Sequence, residues 1–198
     1  MKRVIVVASG PTEQAALPKL LSGLLADGIE LVAPVRIPPG HRDIRGASVA
    51  QVVKAAWFAT FPRPDKFVVL KDADGADAAE VAERLEREID ATGVRKTVDA
   101  PVLVAVAKWH LEAWYFADPA SLRNYLGRDL GSVDATDPDA IENPKHHLQQ
   151  LLKARLDVYT AEVAAEIAAQ LSPSECRRSR SFVGFENAVR NGDSSRPR

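Results

Sequence analysis

The sequence predicts an α/β fold, a mostly parallel sheet with helices on both faces, followed by a helical C-terminal half. Three observations predict it. The runs Val4 to Ala8, Ile29 to Val35, Phe67 to Leu70 and Val102 to Ala107 are apolar apart from Glu30, as strands covered by helices on both sides are. Helical patterns alternate with them, so each crossover has room to return parallel and right-handed. From Trp109 onward the strand signal disappears and the chain reads as short helices joined by polar turns.

The elements follow in order. Ser9-Gly10-Pro11 ends the first strand, and that apolar run is too short for a signal peptide. Leu17, Leu20, Leu21, Leu24 and Leu25 recur at helical spacing, and Asp27-Gly28 closes that helix. Pro18 either belongs to its first turn, which leaves Glu13 in a loop, or kinks it. Ser48 is the expected N-cap of a second helix reaching Phe61, stopped by Pro62 and Pro64. Ala78 to Asp90 forms a third, with Val81, Leu85 and Ile89 on one face. Helices are then expected over Leu111 to Phe116, Ser121 to Leu126, His146 to Leu156 and Ala161 to Leu171. Three segments result: an α/β core over 1–118, a helical extension packed on it over 119–190, and a frayed tail over 191–198.

Composition narrows the class. Of the 198 residues 46% are hydrophobic and 27% charged, the balance of a globular protein with a true core. The net charge of −1 excludes bulk attraction to nucleic acid, so any such binding needs a local patch or a metal bridge. Cys176 is the only cysteine, which forbids an internal disulfide and points to a reducing, cytoplasmic setting. No apolar run approaches the roughly 20 residues of a membrane span.

The chemistry concentrates at strand ends. Val68-Val69-Leu70 runs into Lys71-Asp72-Ala73-Asp74-Gly75. If the strand continues, Asp72 and Asp74 point the same way at the sheet's carboxyl end, where open α/β sheets place their sites. Two carboxylates about 4 Å apart repel by roughly 4 kcal/mol at an effective dielectric near 20. A Mg²⁺ or Mn²⁺ ion removes that repulsion. The competing reading makes Asp72 or Asp74 the cap of the next helix, with Asp74-Gly75 making a turn. Glu13, after the first strand, is either a third carboxylate at the same rim or a first-turn acid of a helix capped by Thr12. Glu112 follows the fourth strand among apolar residues, and a carboxylate so placed needs a metal, a base or a hydrogen-bond partner. His110 reads as structural or solvent-facing, and Asp118-Pro119 as a helix end. Asn143-Pro144 starts a helix from which Lys145 could reach a phosphate. His146 and His147 lack the spacing of a helical zinc pair. Six arginines against three acids from Pro173 onward suggest either a nucleic-acid or partner contact or a solvated surface.

Together these segments resemble the TOPRIM superfamily of topoisomerases, primases and overcoming-lysogenization-defect nucleases, and within it the TOPRIM-like domain-of-unknown-function family 4276. The resemblance covers about residues 4–190. It rests on Val7 to Glu13, on Leu70 to Gly75, on Leu111-Glu112-Ala113-Trp114-Tyr115-Phe116-Ala117-Asp118, and on Asn143-Pro144-Lys145 with Ser181-Phe182-x-x-Phe185. It implies a Mg²⁺- or Mn²⁺-dependent nuclease, a hydrolase of nucleic-acid phosphodiesters with DNA as the favoured substrate, acting in defence against mobile elements beside an ATPase. Asp72 and Asp74 would hold the metal, Glu13 and Glu112 would complete the shell or act as acid and base, and Lys145 would face the phosphate. One departure stands out: the superfamily's first glutamate falls on Ser9, which cannot serve as a base near neutral pH. The alternative reading is therefore a weakly active or inactive regulatory subunit of an ATPase. A haloacid-dehalogenase-like phosphatase also places Asp-x-Asp-Gly after a strand, but on its first strand, whereas here two βα units precede it.

Overall fold

In the computed structural model, residues 1–38 and 44–191 are described. Four parallel strands lie in the order β2-β1-β3-β4: β1 Lys2–Ala8, β2 Ile29–Arg36, β3 Lys66–Asp72 and β4 Val102–Ala107. Every strand the apolar runs predict is present, and β4 has the bounds expected. The α/β class follows from this sheet and its covering helices.

The two sheet faces carry separate cores, because side chains alternate along each strand. Val4, Val6, Val68, Leu70 and Ala105 face one layer of helices. That layer contains α1 (Pro11–Leu20), α5 (Ala113–Phe116), α6 (Pro119–Leu126), α7 (Pro144–Lys153), α8 (Ala161–Gln170) and α10 (Arg180–Asn191). Ile5, Val7, Phe67, Val69 and Val102 face α2 (Gly46–Ala59), α3 (Ala78–Ala91) and the short α4 (Val94–Thr97). A one-turn α9 (Pro173–Cys176) precedes α10. In α3 the expected stripe of Val81, Leu85 and Ile89 is buried.

Several boundaries differ from expectation, each for a local reason. The first helix starts at Pro11 with Gly10 as its N-cap, so Thr12 does not cap it, and Glu13 lies in its first turn rather than in a loop. Pro18 sits inside that helix, which ends at Leu20; a 3₁₀ segment, Ser22–Asp27, carries the chain to a left-handed Gly28. Arg45, not Ser48, is the N-cap of α2, and the Ser48 hydroxyl donates back to the Arg45 carbonyl at 2.9 Å. Asp118 begins α6 instead of ending a helix, accepting from the Ser121 N–H at 3.1 Å and the Ser172 N–H at 2.9 Å. Burial pushes its pKa up, but those donated N–H bonds prevail and hold it below the ordinary value.

The region read as an arginine excess contains α10. Arg177 and Arg190 both bind Glu186, Arg190 also pairs with Asp27, and Arg178 donates to the carbonyls of Ala117 and Ala135. Arg180 stands 3.4 Å from Asp137. The described arginines here fasten the C-terminal helix to the body. Arg196 and Arg198, and the acid Asp193, lie outside the described residues. No helix among the described residues is long and apolar enough to cross a membrane.

Candidate metal centre

Parallel strands bring all their carboxyl ends to one rim, and the strand order reverses direction at β1, between β2 and β3. A crevice at such a switch point is where α/β sheets bind ligands. Here it is a cleft of about 460 Å³ lined by Glu13, Asp72, Asp74, Lys145 and Tyr159, with Ser9 and Gly10 at its wall.

Asp72 is the last residue of β3. It is half-buried and lines the cleft. Its pKa stands well above the usual carboxylate value, first through burial and then through the charges of Glu13, Glu112 and Asp74, with Lys145 opposing. Asp74 departs from the expected strand alternation. The strand stops at Asp72, Asp74 turns into the left-handed region at φ 50°, and its side chain is 77% exposed with Oδ1 3.0 Å from His110 Nε2. His110 is thus a partner of Asp74, while its Nδ1 is buried without a hydrogen bond. Neither aspartate caps α3: Asp77 does, accepting from the N–H groups of Ala79 and Glu80. Gly75 makes the turn possible. Its φ is +83°, and a Cβ there would lie 2.4 Å from Trp109 Cη2, so no larger residue fits.

Glu13 is 4% exposed and folds back towards β1. Ser9 Oγ donates to its Oε1 at 3.0 Å and Thr12 Oγ1 to its Oε2 at 3.1 Å. Gly10 leaves room for this, since a Cβ there would stand 2.9 Å from Glu13 Oε2. Ser9 and Thr12 thus orient the carboxylate, a role their sequence positions did not disclose.

Glu112 precedes the single turn of α5 and is 1% exposed. Among the described residues neither of its carboxylate oxygens has a hydrogen bond of normal geometry, although its own backbone N–H and the Tyr159 hydroxyl both act to lower its pKa, and Lys145 Nζ stands 3.7 Å from Oε1. Burial raises its pKa, and Lys145 opposes the rise. Tyr159, from the connection between α7 and α8, sets its hydroxyl near Glu112 and Tyr115 without a bond of normal geometry to either. Desolvation, aided by the charge of Glu112, raises the pKa of both tyrosines, so both remain neutral donors.

The donor chemistry fits a hard divalent cation. Asp72, Glu13 and Glu112 offer oxygen alone, and the two buried, unbonded oxygens of Glu112 are the kind that require a partner. Among the described residues no three His, Cys, Asp or Glu side chains stand as a ready-made ligand set. Asp74, exposed and engaged by His110, stands at the rim.

A family model described as a domain of unknown function (DUF4276) matches residues 9–190. The chain belongs to that family. Among solved structures, it is similar to the C-terminal region of the Burkholderia pseudomallei OLD protein, with 19% identity, 96% of this chain and 99% of that one covered, and a TM-score of 0.48. It is also similar to the C-terminal region of the Xanthomonas campestris pv. campestris OLD protein phased with iodine, with 15% identity, 96% of each chain covered and a TM-score of 0.45. No curated protein matches the chain.

Proposed function

We propose that this DUF4276 member is a TOPRIM-like, Mg²⁺- or Mn²⁺-dependent nuclease acting on DNA phosphodiesters. The observation that carries the reading is Glu112, a buried carboxylate with no hydrogen bond of normal geometry, in the same charged cluster as Glu13, Asp72 and Lys145. A buried carboxylate without a full set of hydrogen bonds is a group that a bound cation would satisfy. Asp72 and Glu112 would hold the metal, with Glu13 and Asp74 extending the shell. The bound ion would supply an activated water and stabilise the leaving oxygen. Glu13, oriented by Ser9 and Thr12, keeps lone pairs free to accept a proton from that water. Lys145, exposed enough to turn from Glu112, neutralises charge on the phosphate.

The assay is nicking of supercoiled plasmid and cleavage of single-stranded DNA in Mg²⁺ or Mn²⁺. Cleavage is expected, and Glu112→Gln should lower its rate by on the order of 10²-fold or more, the scale of a positioned acid–base or ligand group. Wild-type protein that leaves both substrates intact in both metals removes the nuclease reading.

The second reading, a catalytically silent regulatory subunit, is favoured by Ser9. In TOPRIM enzymes a glutamate occupies that place, whereas here a hydroxyl supports Glu13. Cleavage that appears only in Ser9→Glu would select it. On either reading the protein would act in the cytoplasm beside an ATPase, in defence against mobile elements, as the TOPRIM resemblance implies. Affinity purification from the native cell should then recover an ATPase encoded nearby, and its repeated absence would remove that partner.

A further inference from the structure

A cleft built from carboxylates repels a polyanion, and a protein of net charge −1 provides no general attraction. Nucleic acid must therefore be held by cations close to the cleft. The described arginines of the C-terminal segment are already engaged, and Lys145 faces Glu112. On the other side of the cleft the situation differs. A second groove, of about 740 Å³, runs between the N-terminus of α2 and the length of α3. Ile44 and Lys71 line both the groove and the carboxylate cleft, so the two adjoin.

Arg45 and Arg84 stand on the walls of this groove, both exposed. Among the described residues neither guanidinium has an acidic partner. The one acid in the lining, Glu88, is committed elsewhere: its Oε2 accepts the Gly46 N–H at 2.9 Å. The groove walls are fixed in position. A Cβ on Gly46 would lie 2.4 Å from the Glu88 backbone, so α2 meets α3 as closely as a glycine allows.

We propose that this groove is the track for the DNA strand on one side of the scissile phosphate, with Arg45 and Arg84 each binding a backbone phosphate. The inference rests on the nuclease reading and gives its substrate a direction: from the carboxylate cleft, over Ile44 and Lys71, and along α3. Contacts of this kind are sequence-independent, so the strand is gripped by charge rather than read by base.

The test measures binding of a fluorescent single-stranded oligonucleotide by anisotropy in Ca²⁺, over a range of salt. Arg45→Glu with Arg84→Glu should weaken binding at least about tenfold. It should also make the dependence of log affinity on log salt shallower by about 1.4, the loss of two phosphate contacts on a single strand. The control Lys96→Glu with Lys153→Glu makes the same charge change on exposed residues outside both cavities and should bind as wild type does. Calorimetric Mn²⁺ affinity of the Arg45/Arg84 variant should be unchanged. If that variant binds like wild type or like the control, or if wild type binds no oligonucleotide at low salt, the track is wrong. The two readings fail separately. Normal binding lost in the variant without any cleavage sinks the nuclease and keeps the track, while cleavage with an unaltered KM in the variant sinks the track and keeps the nuclease.

Discussion

Asp72→Asn should abolish Mn²⁺ binding and, in metal-free protein near neutral pH, raise the melting temperature. Asparagine keeps the shape of the side chain but removes the charge that Glu13, Glu112 and Asp74 oppose. The sign follows from linkage. The folded-state pKa of Asp72 lies above its ordinary value of 3.8, so its proton stabilises the fold below that value, and the benefit is lost as pH rises through the raised folded pKa. The advantage of the variant over wild type should therefore be absent near pH 3.8 and grow above it. Asp118 and Glu186, whose pKa values are lowered, lose stability as pH falls, but they do so in both proteins and cancel in the difference. Each kcal/mol of relief is worth about 2–4 °C at this chain length. Mn²⁺ at 100 times its Kd should add about 2.7 kcal/mol to wild type and nothing to the variant. Melting curves across pH, with and without Mn²⁺, and calorimetric titration read all of this. An unchanged Mn²⁺ affinity in Asp72→Asn rules out the metal centre.

The largest loss of stability is expected for Trp114→Ala. Trp114 is fully buried, stacks on Phe185 with centroids 5.3 Å apart, and meets Phe182 edge-on at 5.2 Å. Its Nε1 donates to Ser181 Oγ at 2.9 Å. One side chain thus fastens α10 to α5, the turn that follows Glu112. Truncating a buried tryptophan costs about 3–5 kcal/mol, because the cavity does not fully collapse. The melting temperature should fall by on the order of 10 °C. Trp114→Phe, which keeps the ring contacts and loses the indole N–H, should recover most of that. Thermal or urea unfolding measures both, and a shift below 2–3 °C for the alanine variant would mean that α10 is held chiefly by its ion pairs instead.

Much of the sheet was legible because strands buried on both faces have a composition that little else shares. Val102 to Ala107 is the clearest case, apolar at every position and bounded by Pro101 and Lys108. Around the cleft the acids were legible as residue types but not in their arrangement. Asp72 and Glu112 announced themselves as acids at strand ends, but strand alternation misplaced Asp74, since the ladder stops at Asp72 and a left-handed turn follows. The competing reading, with Asp74-Gly75 making a turn, has that backbone right, although Asp77, and neither of those two aspartates, caps the helix that follows. Helix α10 was hidden by its arginines and serines, although Phe182, Phe185 and Val189 carry a helical stripe. The place of Tyr159 beside Glu112 had no signal, and that of Lys145 was open only through the resemblance, because only the packing of distant helices brings them there.

The all-parallel sheet has a consequence for how the chain reaches its native state. Central strand β1 needs β3 on one side, and Val4 finds its partner Lys66 only after two helices and β2 have intervened. No neighbouring pair in the sheet can close as a hairpin, so each pairing carries the entropy of a long loop and the contact order is high. During synthesis the sheet cannot be completed until Ala107 has left the ribosome. Nascent chains that end before β3 present Ile5 and Val7 with nothing to cover one edge of β1. Fragments of that length are the ones expected to depend on chaperones or to aggregate.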